Sequence, residues 1–191
     1  AHLLRYDEVT LAQIIFHELF HNTLFLSGGL DFNESVANFV GNRAAILFFR
    51  DRYGEDSPVF RRAQQAWQEE LEFSRFLVQV GQSLQDLYAM NLALDEKLRL
   101  REEMFQRSKG DWAKRIADRP SHRFRGYGQQ TVNNAVIAHY LLYLRELGLF
   151  ESLYEVRGRD LVDTVALMEK SVRNHRDPFD AVRQLLASPG H

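Results

Sequence analysis

The sequence predicts a mainly α-helical chain. Apolar residues recur at the three-to-four spacing of helix faces along most of its 191 residues. Few segments alternate with the period of two that a half-buried strand requires. Capping and breaking residues, among them Asp7, Ser27-Gly28-Gly29, Gly54 and Ser57-Pro58, stand between the apolar runs.

Taken in order, Asp7 is placed to cap a first helix running through Leu11, Ile14, Ile15, Phe16, Leu19, Phe20, Leu24 and Phe25. This helix is apolar nearly all round, which predicts burial on several sides, and Ser27-Gly28-Gly29 is expected to end it. A second helix is expected from near Asp31 to about Arg52, before Gly54. Ser57-Pro58 starts a third, with Ser as cap and Pro in the first turn. That helix sets Arg61, Arg62, Glu69, Glu70, Glu72 and Arg75 against Phe60, Trp67, Leu71 and Leu77, and its charges read as a solvated face. Gly81 weakens it, and a break is expected between Asn91 and Asp95. A charge-laced helix follows from Glu96 to about Ser108. Residues 117–131, with Arg119, Pro120, His122 and Arg123-Phe124-Arg125-Gly126-Tyr127-Gly128, read as a loop, either an ordinary exposed basic one or, through Arg123–Tyr127, one that binds a peptide carboxylate or lines a cleft. Helices resume at about Val132–Leu147, Asp160–Ser171 and Pro178–Leu186.

Composition narrows the functions. Hydrophobic residues make up 45% and charged residues 26%, ordinary values for a globular chain that can bury a real core. A formal net charge of -2 leaves no basic excess to neutralise phosphates, so nucleic acid is not an expected partner. No apolar run is long enough for a membrane span. No signal peptide is visible, and the chain starts at Ala1 rather than Met. It reads as a processed or truncated product, with any targeting segment, and any sheet preceding the first helix, expected upstream. The chain has no cysteine, so a metal site must use His and carboxylate ligands.

Such ligands stand in the first helix as His17-Glu18-Leu19-Phe20-His21. Residues four apart share a helix face, so both imidazoles can reach one ion. Glu18 lies about 100° round, where it reaches a water beside the metal without ligating it. The pattern thus joins a Lewis acid, two ligands and a base in one helical turn. The alternative is a pair of core histidines satisfied by hydrogen bonds. A third ligand decides between them, since catalytic zinc takes three protein ligands and keeps a fourth position open. Glu34, within Asn33-Glu34-Ser35-Val36-Ala37 just after a short connection, is the candidate. Ala37, Gly41 and Ala45 on its face let two helix axes approach closely. The competing reading makes Glu34 the partner of an Asp31 capping box. Asn38, one turn on, is placed either to hydrogen-bond a ligating imidazole or to serve as an ordinary interhelical amide.

These residues resemble the gluzincin peptidases, whose H-E-x-x-H helix is completed by a glutamate on a following helix. The nearest likeness is to the bacterial putative aminopeptidase family of that group. Its apolar stretch, H-E-L-x-H and F-N-E-S-x-A are matched by Ile14–His21 and Phe32–Ala37, and a looser similarity extends to Asn133-Asn134-Ala135 and Tyr143. The resemblance implies zincin-like catalytic helices in residues 1–54, and in 55–191 an α-helical extension that packs on them and completes the site, the two expected to form one structural unit. It implies one Zn2+ on His17, His21 and Glu34, Glu18 as general base, a peptide or protein substrate, and a bacterial envelope or periplasmic setting. Two departures stand out. Thermolysin-like relatives often carry an acidic residue where Asn38 sits. The amine-anchoring motif of known aminopeptidases lies upstream of the metal helix, before this chain begins.

The chemistry so implied is peptide-bond hydrolysis, in which Glu18 takes a proton from the attacking water and passes it to the departing amine. A donor for the developing oxyanion is also needed. Tyr127, Asn134, His139, Tyr140 and Tyr143 are candidates, and the likeness favours Tyr143. Two other readings fit the same residues: a metal hydrolase acting on a non-peptide amide or ester, and a non-catalytic helical interaction protein with a structural metal site.

Overall fold

The structure, a computed structural model, describes residues 6–187. It is mainly helical, and no strand occurs among the described residues. The α-helices are α1 (Glu8–Phe20), α2 (Leu30–Tyr53), α3 (Pro58–Ala89), α4 (Leu94–Arg115), α5 (Asn134–Leu144), α6 (Leu147–Val156), α7 (Leu161–Val172) and α8 (Pro178–Ala187). A 3-10 turn at Arg125–Gly128 lies in the loop before α5. None of these helices is long and apolar enough to cross a membrane. The chain divides into two compact units: one takes the stretch up to Gln68 together with that from Leu142 onward, the other is Glu69–Leu141.

Local signals set several boundaries. Asp7 Oδ1 accepts from the Val9 and Thr10 amides at 3.0 and 3.1 Å, satisfying two donors that a helix start leaves open. Gly54, at φ 81°, closes α2 in a conformation that costs a side chain dearly. Ser57 Oγ accepts from the Phe60 amide at the head of α3.

Elsewhere tertiary packing moved the boundaries. Helix α1 stops at Phe20, well before Ser27-Gly28-Gly29. The amides of Thr23 and Leu24 fold back onto the Phe20 carbonyl, and Leu24 is fully buried from this turn rather than from a helix. The apolar pattern therefore outlasts the helix. The side chain of Asn33 pins the connection: it accepts from the Leu26 amide at 2.9 Å and donates to the Leu26 carbonyl at 2.8 Å. Helix α2 starts one residue after its Gly29 cap, so Asp31 sits inside the first turn and forms no capping box. Helix α4 runs on to Arg115 because Trp112 is drawn into a core. The helix expected over Val132–Leu147 is shorter, ending at Leu144, and a helix that was not expected, α6, begins at Leu147 after Glu146 turns left-handed at φ 59°. Nor is α1 buried on several sides: Ile15 and Leu19 are 46% and 58% exposed.

Helix α2 is the spine of the first unit. One face meets α1, while Phe32 and Phe39 pack on Phe150 of α6 at ring separations of 5.7 and 5.8 Å. Arg43 reaches Glu151, which also accepts from Trp67 Nε1 at 3.2 Å. In the second unit Phe73 stacks on Phe124 at 4.2 Å and meets Trp112 at 4.7 Å. The acidic run of α3 does not behave as a solvated face there. Glu69 and Glu70 are buried; Glu69 accepts from the Arg123 amide and Glu70 from its guanidinium, while Glu72 takes both Nη atoms of Arg119 at 2.7 and 2.9 Å. The basic loop is thus tethered to α3 through Arg119 and Arg123, while Arg123 and Arg125 remain exposed as expected.

Candidate metal centre

Helix α1 presents His17 and His21 one turn apart, and α2 brings Glu34 to them. His17 Nε2 lies 3.2 Å from Glu34 Oε2 and 3.2 Å from His21 Nε2, and His21 Nε2 lies 3.6 Å from Glu34 Oε1. One ligand atom from each residue falls within 4.8 Å of the others. The side chains are 13%, 21% and 17% exposed, so the cluster is sheltered yet open to one side.

This proximity has a steric cause. A Cβ built on Gly41 would stand 2.7 Å from the Gln13 carbonyl oxygen, 3.0 Å from the His17 nitrogen and 3.1 Å from the His17 Cβ. Only glycine lets α2 lie so close to the backbone that carries the first imidazole.

The donor set fits a divalent cation. A proton on His17 Nε2 can bridge to Glu34 or to His21, not well to both, so a tautomer that serves one contact leaves lone pairs facing each other at the other. The His21 Nδ1 is buried and has no partner. Three converging lone pairs are what one cation satisfies, and two imidazoles with a carboxylate suit zinc. Burial holds the His17 imidazole below its ordinary pKa, opposed by the charge of Glu34 and helped by that of His21. The shift favours the neutral imidazole, the form that is able to ligate a cation.

Glu18 lies outside the cluster, exposed on the same turn, and its charge is felt by both His17 and Tyr143. The Tyr143 ring stands 6.2 Å from that of His17. Burial raises its pKa, and the charges of Glu34 and Glu18 raise it further, so its hydroxyl keeps its proton as a donor. Asn38 donates through Nδ2 to the Tyr143 carbonyl at 3.1 Å. The remaining oxyanion candidates are differently placed. Tyr127 is buried in the second unit, hydrogen-bonded to Ser108 at 2.8 Å. Asn134 accepts from Tyr88, Tyr140 accepts from Gln130, and His139 is exposed.

Gln13 and Asn42, which no motif singles out, and Ser35 of the Glu34 motif also engage the site's helices. Gln13 is the residue one turn before His17 on a mostly apolar helix, and that oddity was the available signal. It is buried, and its amide donates to Asn42 Oδ1 at 2.6 Å. Ser35 Oγ donates to the Leu142 carbonyl at 3.1 Å.

A cleft of about 990 Å³ lies in the same unit, with walls that include Phe25, Leu26, Asp31, Arg145, Arg176 and Phe179 and none of the three cluster residues. Phe25 joins the two, its ring standing edge-on to His21 at 6.5 Å.

Fold and site together define a helical protein in which two imidazoles and a carboxylate converge closely enough to hold a cation. The chain belongs to the putative aminopeptidase family, whose model, described as "Putative aminopeptidase", matches residues 1–178. No curated protein and no solved structure matches the chain.

Proposed function

We propose that the protein is a zinc-dependent peptidase of the gluzincin type, acting as an aminopeptidase. The convergence of the His17, His21 and Glu34 ligand atoms within 4.8 Å carries this reading, and membership of the aminopeptidase family supports it. His17 Nε2, His21 Nε2 and a Glu34 carboxylate oxygen would hold the ion. Bound there, zinc supplies Lewis acidity, which makes water acidic near neutral pH and polarises a carbonyl oxygen.

The chain's own groups supply the rest. Glu18, exposed beside the cradle, takes a proton from the water that attacks the scissile carbonyl carbon. It returns that proton to the amine nitrogen as the C–N bond breaks. Tyr143 donates its hydroxyl hydrogen bond to the carbonyl oxygen as negative charge gathers there. Its raised pKa keeps that proton in place through the working range. The cleft beyond Phe25 receives the polypeptide on one side of the scissile bond.

The test is a Glu18→Gln variant, compared with the parent by metal analysis and by mass spectrometry of a mixed peptide library. The zinc content should be unchanged and cleavage should fall by roughly 10²–10⁴-fold. Undiminished cleavage by the variant would contradict the role of Glu18. A zinc-loaded parent that spares every peptide but cleaves simple esters or non-peptide amides would reject the substrate class.

A further inference from the structure

The last turn of α5 is tied to the metal-binding helices by side chains that the proposed chemistry does not itself use. A helix leaves its final carbonyls without amide partners. Two of those at the end of α5, on Leu142 and Tyr143, are taken by α2: Ser35 Oγ donates to the first and Asn38 Nδ2 to the second, each at 3.1 Å. Both donors lie within one turn of Glu34 on the same helix.

The Asn38 amide is itself held. Asn42 Nδ2 donates to Asn38 Oδ1 at 3.2 Å and to the Asn38 carbonyl at 3.0 Å. Asn42 Oδ1 accepts from Gln13 Nε2, and both of these residues are buried. The chain of amides therefore begins on α1, one turn before His17, crosses α2 at Asn42 and Asn38, and ends on the backbone of Tyr143. It joins the helix of the imidazoles, the helix of the carboxylate and the residue whose ring faces His17. Amide-to-amide bonds fix which end of each side chain donates, so Asn38 can only present its NH2 to α5.

We infer that Asn38 and Ser35 are positioning residues: through the Tyr143 and Leu142 carbonyls they set the Tyr143 hydroxyl at the distance from the cradle that transition-state donation needs. The inference rests on the donor role of Tyr143 proposed above. A displacement of about 1 Å at such a donor costs catalysis far more than it costs binding. Loss of Asn38 should therefore act on kcat and leave the zinc alone.

The zinc-loaded protein is compared with Asn38→Ala, Ser35→Ala, Tyr143→Phe and the double variant Asn38→Ala/Tyr143→Phe, each by zinc content, kcat and KM on a cleaved peptide. Asn38→Asp, which keeps the shape and lacks the donor, replaces Asn38→Ala if the latter does not fold. We expect Asn38→Ala to lower kcat by roughly 10–100-fold with KM changed by no more than about twofold and zinc retained. Ser35→Ala should show the same pattern to a lesser degree. In the Tyr143→Phe background the Asn38 substitution should cost nothing further, because the group it positions is gone. An unchanged kcat in Asn38→Ala, a loss of zinc, or a full additional loss in the double variant would overturn the inference while leaving the donor role intact. If Tyr143→Phe alone left kcat unchanged, the donor role would fail and the positioning role with it.

Discussion

Two polar clusters, one in each unit, are built in opposite ways. In Glu69–Leu141, acids meet bases: Glu72 pairs with Arg119, Glu70 with Arg123, and the Tyr127 hydroxyl with Ser108. The unit with α1 and α2 instead points two imidazole nitrogens and a carboxylate at one another, at separations of 3.2–3.6 Å. Folding alone gains nothing by converging lone pairs, whereas ion pairs with complementary partners need no ligand to explain them. The difference teaches where to look for chemistry. A cluster whose members lack complements among themselves marks a site, and a cluster that is internally complete marks a clamp.

The comparison can be broken at Gly41, where geometry and stability change together. Its added methyl meets a backbone oxygen, which cannot swing aside as a flexible side chain would. Gly41→Ala should push α1 from α2, costing about 1–3 kcal/mol and spreading the three ligands, so that zinc affinity falls together with stability. Denaturant melts paired with metal analysis check both. Wild-type zinc binding by this variant would detach the cradle from the helix packing.

Chelation sharpens the contrast next. Zinc bound only by the native state at a hundred to a thousand times its Kd stabilises by about 2.7–4 kcal/mol. Hydrogen exchange before and after chelation should show protection lost in α1 and the first turns of α2, with Glu69–Leu141 changed least. Uniform loss across the chain would deny the units their separate characters.

The smallest effect belongs to the clamp. Arg119, by hydrogen bond and charge, holds the Glu72 pKa below its ordinary value against a raising effect of burial. A depressed carboxylate contributes stability that is fully present above the unfolded value of about 4.3 and is lost as pH falls through the lower folded value. Since Arg119 is largely exposed to solvent screening, Glu72→Gln should cost only about 0.2–1 kcal/mol at neutral pH. The difference between parent and variant should vanish on acidification below that window, as acid titration of the melting temperature would show. A difference that persists at low pH would point to packing instead.

How much of this was legible in the sequence follows from the range of each interaction. The starts of α1 and α3 and both ends of α2 could be read to within about two residues, because Asp7, Ser57-Pro58, the Gly28-Gly29 turn and Gly54 act on their immediate neighbours. The meeting of His17, His21 and Glu34 was foreseeable from a four-residue helical spacing, a short connection and the small residues Ala37, Gly41 and Ala45 on the Glu34 face. The end of α1 was not, since it depends on Leu24 burying itself and on Asn33 gripping Leu26. The break before α6 hangs on one left-handed residue, Glu146, a type with no special liking for that conformation. Glu69 and Glu70 looked like a solvated face because their partner, Arg123, is more than fifty residues away. Asn38 was expected either to serve an imidazole or to bridge helices, and the bond that engages the α5 backbone joins positions 105 residues apart.

The most direct test is zinc titration of the metal-stripped protein, followed by isothermal calorimetry and by metal analysis after dialysis. We expect one zinc per chain, tight binding by the parent, and its loss in His21→Ala and Glu34→Gln while their helical content is kept. A parent that takes up no zinc, or a His17→Ala/His21→Ala variant that binds it as well as the parent, would contradict the cradle and the function built on it.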